Sequence, residues 1–258
     1  DARGENMTWT SGGSGRAAAL QMPMAGDRPV YGGTPADLSV IEAVQALQEA
    51  GQAVMFYPFI LMDQVAGNTL TDPYSDAETQ PELPWRGRIT LSKAPGVEGS
   101  PDGTAVAEAE VDAFFGSVTA SDFSATVMPD QPGYYTGPSD EWSFSRFILH
   151  NAALCRAAGG VEAFCIGSEM RGMTQIRAEA NRFVFVERLV ALAAEVRAIL
   201  PDAKISYAAD WSEYFGYQPQ DGTGDRYFHL APLWADDNID VIGIDNYMPL
   251  SDWRDGEA

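Results

Sequence analysis

Four times along this chain a helical pattern is followed by a short, largely apolar run that ends on a polar or aromatic residue. The first unit opens with Thr34-Pro35-Ala36-Asp37, read as a helix start with Thr34 as cap and Pro35 in the first position. Val40, Ile41, Val44 and Leu47 follow at helical spacing, and Gly51 stands where a helix-ending glycine belongs. Residues 53–60 then read as a strand that is apolar on both faces. In the second unit Phe144, Phe147, Ile148 and Cys155 mark a helix that stops at Gly159-Gly160, and the strand 161–167 leads into Ser168-Glu169-Met170. A helix over 181–200, with Val186, Leu189, Val190, Ala193 and Val196 on one face, precedes the strand 204–209 and Asp210-Trp211. A short helix near 229–234 precedes the strand 239–244 and Asp245-Asn246-Tyr247. Repeated helix-then-strand units with apolar strands imply a parallel sheet, either doubly wound or closed into a barrel. No glycine-rich phosphate loop follows any strand, which weakens a nucleotide-binding reading.

Between these units the chain is irregular. Residues 1–30 form a lead-in rich in Gly, Met and Ser, and residues 63–105 read as a long loop insertion holding the compact cluster Pro84-Trp85-Arg86-Gly87-Arg88. A loop this long in a compact domain is usually functional or mobile. Residues 106–116 and 119–126 read as short helices or turns, and 133–140 as a loop. All 258 residues are expected to belong to one domain, itself a segment of a longer protein, because both ends are unpatterned.

The net charge of −21 argues against nucleic acid, whose phosphates need a basic surface, and against an anionic membrane surface. No apolar run approaches the roughly 20 residues of a membrane span, and no leader peptide is visible. Cys155 and Cys165 read as buried, reduced thiols; with two histidines and no C-x-x-C spacing, neither a zinc site nor a cofactor is expected. No Ser lies in a G-x-S-x-G elbow, and His150 and His229 read as structural or surface residues.

The polar residues just past the strands carry the functional expectation, because barrel enzymes build their sites at that end. Glu169 comes first: a carboxylate leaving a buried strand can act as a general acid, and from pattern alone it can equally be a cap or an ion-pair member. Glycoside hydrolysis normally needs two carboxylates, about 5–5.5 Å apart for retention. Asp210, Glu213 and Asp245 are each open as a second carboxylate, a sugar-hydroxyl acceptor, or a partner for Arg171 or Arg86. Tyr57, Trp85, Trp211 and Tyr247 are candidate platforms for pyranose rings, with core packing as the plainer role for any one of them. Arg86 and Arg88 read most simply as loop anchors, with contact to an acidic sugar or phosphate as the lesser reading.

Several stretches are familiar in combination. FCIGSEM at 164–170 resembles the fourth-strand signature of retaining barrel glycosidases, and DNIDVIGIDNYMPLS at 237–251 resembles the sixth-strand region of a mannanase-like family in that clan. GQAVMFYPFILMD at 51–63 and WRGRI at 85–89 fit the same group. The stretch from Val30 to Tyr74 more specifically resembles the TIM-barrel-like domain of the large tail-tip, or host-specificity, protein of gene transfer agents and related tailed phages, with resemblance over about 26–255.

That resemblance implies a (β/α)8 TIM barrel of which this chain holds about strands three to six. It implies Glu169 as acid/base, with the nucleophile at the end of a seventh strand, after Ala258. Many enzymes of the clan have Asn before the acid/base glutamate; here Ser168 stands there, which bears on substrate preference. The expected partners are a bacterial cell-surface polysaccharide and other tail or baseplate proteins. The expected location is the tail of a virion or gene transfer agent particle, acting outside the cell after synthesis in the bacterial cytoplasm. A catalytically inactive structural or glycan-binding tail module, and a free-standing secreted glycosidase, stand as alternatives.

Overall fold

The computed structural model describes residues 9–128 and 132–247. The chain opens with two small antiparallel hairpins, β1 (Thr10–Ser11) with β2 (Ser14–Gly15), and β3 (Met24–Ala25) with β4 (Arg28–Pro29), so the lead-in is less irregular than its composition suggests. Then come α1 (Asp37–Glu49), β5 (Met55–Phe56) and α2 (Ala105–Phe115), followed by a hairpin of β6 (Ser124–Thr126) and β7 (Tyr134–Thr136). The rest alternates: α3 (Phe144–Ala157), β8 (Ala163–Ser168), the one-turn α4 (Arg171–Thr174), α5 (Val184–Ile199), β9 (Lys204–Asp210), the one-turn α6 (Ala231–Trp234) and β10 (Val241–Asp245). The end of the 237–251 motif, residues 248–251, lies outside the described residues, as do 252–258.

The parallel sheet expected from the pattern is present. Its order is β10-β9-β8-β5, so strands that follow one another along the chain lie side by side, and every pairing is parallel. The strand ends after β5, β8, β9 and β10 therefore gather on one edge. Helices α3 and α5 cover one face. Ile148, Leu149 and Ala152 of α3 and Phe185, Leu189 and Val196 of α5 pack on Phe164, Ile166, Ile205 and Tyr207, all buried. Phe114, Phe115, Phe144 and Phe185 interlock with ring centroids 5.1–6.2 Å apart and join α2 to this layer. A smaller cluster of Ile41, Val44, Val54, Leu154 and Ala157 seats α1.

Several expectations need correction. The strand at 53–60 is only two residues long: Val54 O still receives the Glu162 and Ala163 amides, but Pro58 has no amide to extend a ladder. Its burial on both sides is also not found, since Met55 is 58% exposed. The same holds for β10, where Ile242 is 61% exposed, because both strands are edges of the sheet among the described residues. Thr34 is not the cap of α1. The cap is Ala36, with no side-chain bond, and Asp37 instead faces a buried cluster. The loop at 133–140 and the turn at 119–126 contribute β7 and β6 to a hairpin. Gly51 holds φ +73° after α1, as its glycine predicts. Cys155 and Cys165 are buried, free thiols.

Candidate functional site

Glu169 follows β8 directly and sits in the left-handed region at φ +51°. A non-glycine residue is uncommon there and is held by its surroundings. Its amide donates to Ala208 O on β9 at 2.8 Å, beside an irregularity in the β8–β9 register between Cys165 and Ser168. This turn delivers the carboxylate into the sheet edge, where it is 4% exposed.

Two residues of the 63–105 loop close on it. Trp85 Nε1 donates to Glu169 Oε2 at 2.8 Å, and an Arg86 guanidinium nitrogen meets the same oxygen at 2.8 Å. Arg86 also donates to Ser168 O at 3.1 Å and Ser168 Oγ at 2.8 Å, and its guanidinium lies 4.7 Å over the Phe59 ring. The sharp 3-10 turn Arg86–Arg88 makes this approach possible. A Cβ at Gly87 would fall 2.4–2.5 Å from the Trp85 ring, so only glycine lets the indole fold back. Arg88 points the other way, bonding Asp72 at 2.9 Å and stacking on Tyr74, so it anchors the loop while Arg86 serves the cleft.

A second cluster borders the first. Tyr57 OH accepts from Ser168 Oγ at 2.6 Å and donates to Asp245 Oδ2 at 2.5 Å. Burial first, then the Asp245 bond, raises the Tyr57 phenol far above its ordinary range, so it remains a donor. Asp245 is the register partner of Asp210 on the neighbouring strand. Asp210 caps the turn Trp211–Glu213, accepting from Ser212 N at 3.0 Å and from the Ser212 hydroxyl. Neither Asp210 nor Asp245 forms an ion pair with Arg171 or Arg86 among the described residues.

The strand ends and the loop enclose an open cleft of about 950 Å3. Tyr57, Trp85, Arg86, Glu169, Asp210, Trp211, Asp245 and Tyr247 all line it, so the structure brings together every candidate site residue except Glu213 and Arg88. Trp211 and Phe215 meet edge to face at 5.9 Å, and Tyr247 is largely exposed at the rim with its phenol raised chiefly by the charge of Glu169. Phe59, Arg171, Ser212 and Asn246 complete the wall. Phe59 and Ser212 had no distinguishing signal beyond their proximity to Tyr57 and Asp210. Glu213 is turned behind the cleft and buried, with its carboxyl pushed up to about 7 by burial. His229 is buried beside it, and burial lowers its imidazole to about 4.

Among the described residues no cluster of His, Cys, Asp and Glu could hold a metal ion, and no helix is long and apolar enough to cross a membrane. The other buried histidine, His150, pairs with Asp37 at 3.0 Å on the far side of α3 and takes no part in the cleft.

A parallel α/β layer with its polar and aromatic residues gathered at the carboxyl ends of the strands defines the class of protein. Residues 142–258 match the family model of the GTA TIM-barrel-like domain, which spans β8, β9 and β10 and with them Glu169, Asp210 and Asp245. The match begins at Trp142, so the likeness noted for residues 26–141 rests on the quoted motifs alone. No curated protein matches the chain.

Proposed function

We propose that this chain is the catalytic face of a glycosidase-like (β/α)8 barrel, holding about strands three to six, in the tail-tip protein of a gene transfer agent or tailed phage. The observation that carries the reading is Glu169: a buried carboxylate on a left-handed turn at a strand's carboxyl end, on the floor of a cleft walled by Trp85, Trp211, Tyr57 and Tyr247. Aromatic walls offer apolar ring faces to sugars, and the buried hydroxyls and carboxylates offer partners for sugar hydroxyls. The substrate is a bacterial surface polysaccharide, met outside the cell by a particle tail in company with other tail or baseplate proteins.

In the proposed retaining mechanism Glu169 carries a proton to the departing glycosidic oxygen, then as carboxylate takes one from the water that opens the glycosyl-enzyme intermediate. Arg86 and Trp85 hold Oε2 and so orient the group. Ser168, Tyr57 and Asp245 form a linked set of hydroxyls and carboxylate facing the sugar. Asp210 Oδ1 takes both Ser212 bonds as the cap of the turn and Asp245 Oδ2 accepts from Tyr57; the reading assigns the nucleophile to neither and places it on a further strand.

Reducing-end release from purified bacterial capsule, lipopolysaccharide and peptidoglycan tests the proposal. The full-length barrel domain is expected to release ends from one of these fractions and its Glu169→Gln variant to lose that release. Equal release by both would refute it. One observation favours a second reading, a glycan-binding module without chemistry: both bonds at Oε2 are received by Glu169, which leaves the carboxylate tied to Arg86. That reading predicts retained glycan binding with no release from any fraction.

A further inference from the structure

Glu213 is the strand-end acid that the cleft leaves unused. It lies three residues past Asp210, is 3% exposed, and is fully engaged. Thr174 Oγ1 donates to Oε1 at 2.5 Å, while the Asp210 amide at 2.9 Å and the Tyr207 hydroxyl at 3.3 Å donate to Oε2. Tyr207 OH in turn accepts the Met170 amide at 2.8 Å. Met170 follows Glu169, whose own amide is held by Ala208 O. The left-handed turn that aims Glu169 is therefore held from behind by two successive residues of β9, and Glu213 holds one of them.

This network has two proton arrangements. Thr174 Oγ1 has two acceptors within reach, Glu213 Oε1 at 2.5 Å and Arg171 O at 3.3 Å, and it also faces His229 Nε2 at 3.3 Å. When Glu213 is ionised, Thr174 donates to it. When a proton from solvent sits on Oε1, Glu213 donates to Thr174, and the Thr174 hydroxyl turns to the carbonyl of Arg171, a residue of the cleft wall. We propose that Glu213 is a positioning residue whose proton sets the hold on the Glu169 turn, giving the cleft a protonated and an ionised form. Its consequence for hydrolysis rests on the proposed role of Glu169; the proton switch itself does not.

The ionisable groups around Glu213 are Asp210 and Tyr207 on β9, Arg171 on α4, and His229 before α6. Burial keeps the Tyr207 phenol protonated and His229 neutral above about 4, and a guanidinium does not deprotonate in proteins. Burial pushes Glu213 itself up to about 7, so the switch falls near neutrality.

Trp85 reports on the turn, because its indole N–H is bonded to Glu169. In protein carrying 15N-labelled tryptophan, with the Trp85 indole signal assigned through Trp85→Phe, that signal is expected to shift with a midpoint of about 7. In Glu213→Gln it should stay at the low-pH position from about pH 5.5 to about 8.5. Thr174→Val removes a hydroxyl that favours the ionised form, and should raise the midpoint by about one pH unit. A signal that does not move in the wild type, or moves alike in Glu213→Gln, overturns the proposal. Should Glu213→Gln fail to fold, an unmoved midpoint in Thr174→Val overturns it instead. A titrating Trp85 signal in protein that cleaves no glycan would leave the switch standing while the hydrolytic reading falls.

Discussion

Trp85 and Glu169 lie 84 positions apart in the chain and are joined by a 2.8 Å bond from indole to carboxylate. That bond closes the long loop over the end of β8, and Gly87 permits it. In Gly87→Ala the new methyl collides with the indole and displaces it from Glu169. Overpacking of this kind costs about 1–3 kcal/mol. The expected outcome is a lower unfolding midpoint in denaturant together with loss of the Trp85 indole shift that marks the bond. An unchanged indole signal would show that the loop tolerates the methyl.

Arg86 and Glu169 form an ion pair with side chains 14% and 5% exposed. Removing one member of a buried pair leaves an uncompensated charge and costs about 3–5 kcal/mol. Arg86→Met should therefore destabilise by that order, and Arg86→Met combined with Glu169→Gln should recover most of it. Urea unfolding of the two singles and the double gives the coupling directly. Additive effects would mean that the pair contributes little.

The strand-end residues show how much of the site was legible beforehand. Parallel strands entering one sheet deliver their carboxyl ends to one edge, so Tyr57, Glu169, Asp210 and Asp245 could be grouped from periodicity and the residue after each strand. The helices were legible for the same reason, since Ile148 and Leu189 recur at helical spacing and are buried. The closure of Trp85 and Arg86 on Glu169 was not, because it depends on how an irregular loop folds back over many residues. Glu213 and Asp210 differ only in which side of one 3-10 turn they face, and that is set by the reciprocal cap between them, not by residue type. The short β5 depended on Pro58 outweighing an apolar run, and β6 and β7, at three residues each, are too short to show an alternating pattern.

Glu213 makes stability depend on pH. Its folded value of about 7 lies above its ordinary 4.5, so the folded state binds the proton more tightly. The contribution is fully present below 4.5 and is lost as pH rises through about 7, on the order of 3 kcal/mol in all. Glu213→Gln mimics the protonated form: its carbonyl can accept from Asp210 N and Tyr207 OH while its amide donates to Thr174. Thermal unfolding across this range should show the wild type losing stability toward pH 8, with a flatter profile in the variant. A wild-type profile that rises toward pH 8 as the variant's stays flat would contradict the assignment.

Away from the cleft, Asp37 gathers three donors: the Gly12 amide at 2.9 Å, Tyr135 OH at 3.0 Å and His150 Nε2 at 3.0 Å. It ties the first hairpin and β7 to α1 and α3. Asp37→Ala removes all three bonds and should cost about 3 kcal/mol. Limited proteolysis is expected to cut first near Arg16, while the Trp85 indole signal stays in place. A shifted Trp85 signal would show that the two regions are coupled.

The most direct test of the proposed acid/base role of Glu169 is chemical rescue of Glu169→Ala on a dinitrophenyl glycoside of the sugar that reducing-end release identifies, because that leaving group departs without a proton. Azide can attack the glycosyl-enzyme intermediate without the general base that water requires. The variant is expected to lose hydrolysis by roughly 100-fold or more, and added azide should restore turnover and yield a glycosyl azide of retained configuration. Undiminished hydrolysis by Glu169→Ala without azide would contradict the role given to Glu169.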